Sequence, residues 1–175
     1  MTQDAISIRL AEVADAPAIA LMSRDLIEPG LGWRYDQPKI LAKIRHRDTV
    51  TLVASERGRT AGFAIMDFAD ERAHLVLLAV RPTHRRQGIG RRLLEWLVES
   101  ALTAGIASIH LELRASNEAA RAFYNAMGFT ETLVVPGYYR GPGGAKESAM
   151  RMLRMLRRGD SPVWLWQPPA FRRNS

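Results

Sequence analysis

Ile6, Ile8 and Leu10 alternate with Ser7 and Arg9, the period of a half-buried strand, and Asp15 followed by Pro17 marks a helix start. The pattern therefore predicts a first strand and then a helix to about Glu28, broken by Pro29-Gly30-Leu31-Gly32. A second helix is expected over Gln37–Arg47. Three apolar runs follow, Thr49–Ser55, Thr60–Phe68 and Ala73–Val80, separated only by Arg57-Gly58 and by Ala69-Asp70-Glu71-Arg72. Polar connections this short predict an antiparallel meander.

Further on, Leu93, Leu94, Leu97, Val98, Ala101 and Leu102 recur at helical spacing on one face, and Gly105 sits where a C-terminal cap belongs. Ile109, Leu111 and Leu113 alternate with His110, Glu112 and Arg114, which predicts a strand with one apolar and one polar face. Asn117 suits the N-cap of a short helix through Met127, ended by Gly128. Phe129–Val135 reads as the next strand, Pro136–Gly144 as a loop rich in Gly and Tyr, and Ala149–Leu156 as a last strand. The expected organisation is one domain over residues 1–156 and an extended tail over 157–175, which carries Trp164 and Trp166.

Between the third meander run and the long helix lies Arg85-Arg86-Gln87-Gly88-Ile89-Gly90, a basic, glycine-punctuated turn from strand to helix. The first N–H groups of a helix lack intrahelical partners and sit at the positive end of its dipole, so such a turn suits phosphate. Glycines at 88 and 90 remove the Cβ atoms that would hold a pyrophosphate away from those groups, and Arg85, Arg86, Arg91 and Arg92 add diffuse charge.

Composition narrows the options. At 175 residues with 47% apolar and 25% charged residues, the chain can bury one core. The absence of cysteine excludes disulfides, thiolate metal sites and a cysteine nucleophile. No apolar window approaches the roughly 20 residues of a spanning helix, and the start lacks a secretory layout, so a soluble cytoplasmic protein with no membrane partner is expected. The net charge of +7 is local: eleven arginines in residues 81–92, 151–158 and 172–173 exceed it and leave the remainder at −4. A phosphate-bearing cofactor accounts for the first cluster as well as a polynucleotide would, so nucleic acid is disfavoured.

The strand, glycine turn, helix, strand, Asn117 cap and Ala122-Phe123-Tyr124-x-x-x-Gly128-Phe129, taken together, resemble the GNAT superfamily of acetyl-CoA-dependent N-acetyltransferases. Leu111-Glu112-Leu113-Arg114-Ala115-Ser116-Asn117 with Tyr124, Gly128, Phe129 and Tyr138-Tyr139 looks most like its ribosomal-protein alanine N-acetyltransferases, although Ser148 follows Glu147 where that subfamily tends to carry an acid. The resemblance implies an α+β fold, a mixed and largely antiparallel sheet that splays open around acetyl-CoA, used as co-substrate with no metal. By that analogy the pyrophosphate would lie on Arg86, Gln87, Gly88, Ile89, Gly90 and Arg91 beside Arg85. The pantetheine would run along Leu78, Ala79 and Val80, and Asn117 would bond the cofactor arm.

The same resemblance makes Glu112 the general base. An α-ammonium near pKa 7.8 facing a carboxylate near 4.3 makes the transfer uphill by about 4.8 kcal/mol, and a lysine ε-ammonium by about 8 kcal/mol, so a weakly basic amine is the easier acceptor. Glu112 could instead be a solvated carboxylate paired with Arg114. Tyr124, a phenol matched to a thiolate, is the expected acid, with core packing as its alternative. Trp33, Tyr35, Tyr138 and Tyr139 are candidate walls of the acceptor site or cover apolar surface. His46, His74, His84 and His110 form no metal constellation and read as structural. The favoured function is acetyl transfer to a protein or peptide α-amino group. A small-molecule amine is the alternative within enzymes. A basic RNA- or ribosome-binding module with regulatory acetyl-CoA, motivated by Arg151–Arg158 and the tryptophan tail, is the alternative outside them. The protein is expected as a monomer or homodimer.

Overall fold

The computed structural model describes residues 6–157. The tail with Trp164 and Trp166, and Arg158, Arg172 and Arg173, lie outside the described residues. Within them the chain runs β1 (Ser7–Leu10), α1 (Ala16–Leu26), α2 (Gln37–Arg45), β2 (Thr49–Glu56), β3 (Arg59–Phe68) and β4 (Arg72–Val80). It continues through α3 (Ile89–Thr103), β5 (Ser108–Arg114), α4 (Glu118–Ala126), β6 (Thr130–Arg140) and β7 (Lys146–Met155). The seven strands form one sheet in the order β1-β2-β3-β4-β5-β7-β6. Every neighbouring pair is antiparallel except β4 and β5. This is the expected α+β fold, with β2, β3 and β4 as the meander.

Helices cover both faces. One core packs Ile19, Ala20 and Met22 of α1 and Ile40 of α2 on Val53, Phe63, Ile65, Leu77 and Ala79. The other packs Ile89, Leu93, Leu94, Leu97, Val98 and Ala101 of α3, with Tyr124 of α4, on Leu52, Met66, Leu75, Leu111 and Met152. Each large aliphatic buried there contributes roughly 1.5–3 kcal/mol. Leu102, expected on the buried stripe of α3, is exposed, because it falls just beyond the stripe's edge defined by Val98.

Two irregularities shape the site. β4 and β5 are paired only at Arg72↔Ser108, Ala73↔Ile109 and His74↔His110, after which the parallel strands part and open a wedge in the sheet. On the other edge of β4, Met66 pairs with Leu75 and Ile65 with Leu77, so Val76 is an extra residue. The bulge reverses the alternation. Ala73 and Leu75 join the α3 core, whereas Leu77 and Ala79 join the α1 core.

The expected Gly/Tyr loop is largely strand. β6 runs on to Arg140, with a register shift between Val135 and Tyr139 that accommodates Pro136 and Gly137. Proline is tolerated there because β6 is an edge strand and a bulge asks for no ladder N–H. Tyr138 and Tyr139 are thereby held by the sheet. The true loop is short, about Gly141 to Ala145, and it packs on the α1–α2 connection: a Cβ at Gly141 would overlap the Gly30 carbonyl oxygen.

Candidate active site

The wedge between β4 and β5 continues into a cavity of about 400 Å³. Its walls include Leu75–Leu78 of β4, Leu111–Arg114 of β5, Asn117, Tyr124, the 26–35 segment, and Tyr138–Arg140. Parallel pairing puts His74 and His110 on one face of the sheet, and the two-residue period of β5 adds Glu112 to that face. Antiparallel pairing sets Arg151 of β7 directly opposite Glu112. Three strands thus bring one carboxylate and two nitrogen donors together.

Glu112 is not the solvated carboxylate paired with Arg114 that the sequence allowed. Its side chain is 4% exposed, Oε2 lies 2.7 Å from His74 Nε2, and Oε1 accepts from Arg151 Nε at 3.2 Å. Arg114 turns elsewhere, donating to the Pro29 carbonyl and to Glu147 Oε1 at 3.4 Å. Burying a carboxylate is costly unless it is paired, and here both oxygens are. The histidine was expected to be structural. It lines the cavity and touches the carboxylate. No sequence spacing announces the pair, since residues 74 and 112 meet only through the sheet.

His110 is buried behind this pair, with Nε2 2.9 Å from Ser108 Oγ. Burial, aided by Arg72 and His74, pushes its pKa down to about 4. An imidazole at about 4 in the folded protein and near 6.5 unfolded leaves stability intact above pH 6.5. That stability is lost as pH falls from 6.5 through 4, because the unfolded chain then binds the extra proton. We expect His110→Gln to flatten this acid limb, on the order of 2 kcal/mol, in urea-unfolding midpoints measured at pH 7 and 4.5.

Tyr124 lies in α4, its ring edge-on to Phe123 at 5.1 Å and to Phe129 at 5.6 Å. Its side chain lines the cavity, and burial drives its phenol well above the ordinary value, so it stays protonated at working pH. Tyr35, Tyr138 and Tyr139 line the cavity as well. Burial pushes Tyr35 up to about 12 and raises the other two as well. Trp33 lies outside that lining: its indole N–H donates to the Ala20 and Tyr35 carbonyls, with Arg24 5.4 Å over the ring.

Glu28, read from the sequence only as a helix end, is a buried carboxylate that shapes this wall. It accepts from Ser23 Oγ at 3.0 Å and from the N–H groups of Arg34 at 2.8 Å and Tyr35 at 3.2 Å. The 29–35 connection is therefore pinned through its backbone.

At the far end, the glycine turn leads into α3. Gly88 is left-handed at φ +74°, which glycine adopts freely, and Arg86 is left-handed at φ +65°, a strained conformation for a non-glycine residue. The basic charge is partly spent within the chain: Arg85 Nε donates to the Val80 carbonyl and Arg92 Nη2 to the Ile6 carbonyl. Residues 85–91, Ala79 and Val80 do not line the cavity. The turn adjoins it through Leu78, 3.8 Å from where a Cβ on Gly90 would stand. Asn117 lines the cavity, while its Oδ1 caps α4 by accepting from Ala120 N–H at 3.1 Å. The first-turn N–H groups of α3, which precede the first intrahelical bond from Arg92 N–H to the Gly88 carbonyl, and the β4 edge that parts from β5 beyond His74 fit a pyrophosphate with an extended arm.

No helix among the described residues is long and apolar enough to cross a membrane. Among them, too, no cluster of His, Asp and Glu could hold a metal ion. The basic run from Arg151 is not an outward strip, since Arg151 faces Glu112 and Arg154 Nη1 donates to the Met127 carbonyl at 2.9 Å.

Known proteins carry the same architecture. The ribosomal protein bS18-alanine N-acetyltransferase of Escherichia coli strain K12 is 38% identical over 99 residues, 57% of this chain and 67% of that protein. The crystal structure of the ribosomal-protein-S18-alanine N-acetyltransferase from Escherichia coli superposes with a TM-score of 0.75 at 28% identity, covering 93% of this chain and all 100% of that one. A putative acetyltransferase, yncA of Salmonella typhimurium, solved with its cofactor acetyl-CoA, shares the fold at TM-score 0.75 and 24% identity, over 90% of this chain and 98% of that one. The profile of the acetyltransferase (GNAT) family matches residues 19–129, most of the described chain and every helix that lines the cleft, and the chain belongs to that family.

Proposed function

We propose that this enzyme moves acetyl from acetyl-CoA to the α-amino group of a protein or peptide by direct attack. The observation that carries this reading is the wedge at His74/His110, with the paired carboxylate Glu112 on one side and the buried phenol Tyr124 on the other. Similarity to enzymes named for acetylating a ribosomal protein's alanine supports the acceptor class. The co-substrate supplies a thioester carbonyl. Arg86–Arg91 would hold its pyrophosphate by backbone N–H groups, Leu78–Val80 its arm, and Asn117 would bond that arm as well. Glu112 is the general base of this reading: its carboxylate draws the acceptor's ammonium and serves the removal of its proton. Tyr124 Oη donates a proton to the departing sulfur. Tyr35, Tyr138 and Tyr139 wall the acceptor, and the pinned 29–35 connection sets the entrance. Trp33 would act through that connection.

Free-thiol release with acetyl-CoA and a panel of N-terminal peptides, polyamines and free lysine tests the acceptor. The peptides should turn over fastest; faster acetylation of a polyamine would replace this acceptor with a small molecule. The cofactor end has its own test. A methyl group at Gly90 has Phe123 at 3.5 Å and Leu78 at 3.8 Å as its nearest side chains, ordinary contacts, so Gly90→Ala should leave the melting temperature unchanged or slightly higher. Because that methyl is taken up against Phe123 and Leu78, Gly90→Ala should leave acetyl-CoA binding within about threefold, whereas a methyl at Gly88, left-handed at φ +74° with nothing within 4 Å, would project into the open turn and should weaken binding about tenfold or more. Calorimetric titration with acetyl-CoA reads this directly.

A further inference from the structure

We infer that the acceptor's proton is taken by His74 Nδ1, with Glu112 as the carboxylate that holds and charges the imidazole. This inference rests on the acetyl-transfer reading above and divides its proton-removing step between two residues. The geometry carries it. Glu112 is 4% exposed with both oxygens engaged, whereas His74 is 28% exposed and forms part of the cavity wall. Of the pair, an amine entering the cavity meets the imidazole first. With Nε2–H donated to Glu112 at 2.7 Å, the lone pair of the neutral ring lies on Nδ1.

By side-chain type, imidazole is the closer match to an α-ammonium than a carboxylate is. Transfer from an α-ammonium is unfavourable by about 3,000-fold to a free carboxylate and by only about 20-fold to a free imidazole. The imidazolium that forms has Glu112 at hydrogen-bond distance, the arrangement by which a buried carboxylate stabilises a histidine that has just accepted a proton. Charged groups on the strands beside His74 include Arg151 on β7, bonded to Glu112, Arg72 two residues earlier on its own strand, and Asp67, its register partner on β3, which is tied to Lys43 and Thr49. His110, the β5 neighbour, stays neutral above about pH 4 because it is buried, so it adds no repulsion.

The acceptor nitrogen loses two protons as its bond to the acetyl carbon forms and the carbon–sulfur bond breaks. The first goes to Nδ1 and on to water. The second balances the proton that Tyr124 gives to the sulfur, so the products are the amide, the free thiol and one proton.

The test uses the full chain, acetyl-CoA and an N-terminal peptide. His74→Gln keeps a donor toward Glu112 but has no proton-accepting nitrogen, and should lose about 100-fold or more in kcat/KM with the KM for acetyl-CoA within about twofold of wild type. The acid limb of its pH–rate profile should differ from that of wild type. His74→Ala should regain at least tenfold in rate with added imidazole and none with pyrazole, which has the same shape but little basicity. A His74→Gln rate within threefold of wild type, or equal rescue by both heterocycles, overturns the inference and leaves acetyl transfer standing. A wild-type enzyme inactive on every peptide overturns the underlying reading, and this inference with it.

Discussion

Glu112→Gln should lower kcat/KM toward an N-terminal peptide by 10²–10⁴-fold, the usual range for loss of a positioned acid–base group. The substitution preserves size and leaves an amide oxygen for Arg151 Nε, so the fold should survive with Tm shifted by only a few degrees. What changes is the charge and the sense of one hydrogen bond. With its oxygen on Arg151, the amide presents NH₂ toward His74 Nε2, which now carries the carboxylate contact at 2.7 Å. The ring must then offer a lone pair at Nε2 and hold its proton on Nδ1, the wrong tautomer for accepting another. The loss should therefore fall on kcat more than on the KM for acetyl-CoA, whose proposed contacts at 86–91 lie away from this pair. Steady-state kinetics with each substrate varied in turn separates the two. An unchanged kcat/KM would remove Glu112 from the chemistry.

Tyr124→Phe should reduce kcat about 100-fold while leaving the folded protein as stable as before. The aromatic ring does the packing, against Phe123 and Phe129, and phenylalanine retains it. Only the hydroxyl is lost, and a buried phenol held protonated across the working range is the group that can meet a developing thiolate. Because the requirement arises as the carbon–sulfur bond breaks, a donor with a better leaving group should suffer less. Rates with acetyl-CoA and with a thioester of a more acidic thiol, compared for wild type and variant, should converge for the activated donor. Equal losses on both would make Tyr124 a packing residue.

The resemblance that the sequence supports rests on features local in the chain. Period-two runs made the meander legible, the period-four stripe made α3 legible, and Gly88 and Gly90 after an apolar strand marked the phosphate-type turn, because each depends only on neighbours a few residues apart. Asn117 capping α4 and Tyr124 one face further on were readable for the same reason. Local pattern failed where pairing partners decide. Tyr138 and Tyr139 belong to a strand because β7 offers a ladder past the Pro136 bulge, which no window around them contains. The alternating burial along β4 reads as one continuous face; the bulge at Val76 sends its two halves into different cores.

The site shows the same division. By itself the sequence determined that Glu112 lies on the polar side of a strand and that Tyr124 stands near Gly128-Phe129 in a short helix. Only the tertiary structure decided whom Glu112 meets. Its register partner Arg151 and its neighbour across the parting strands, His74, are 39 and 38 residues away in the chain. Arg114, the nearer and more obvious partner, is drawn off to Pro29 and Glu147. Charge pairing within a sheet follows cross-strand register, and register is set by the hydrophobic pattern of whole strands and by their bulges, not by the spacing of the charges themselves.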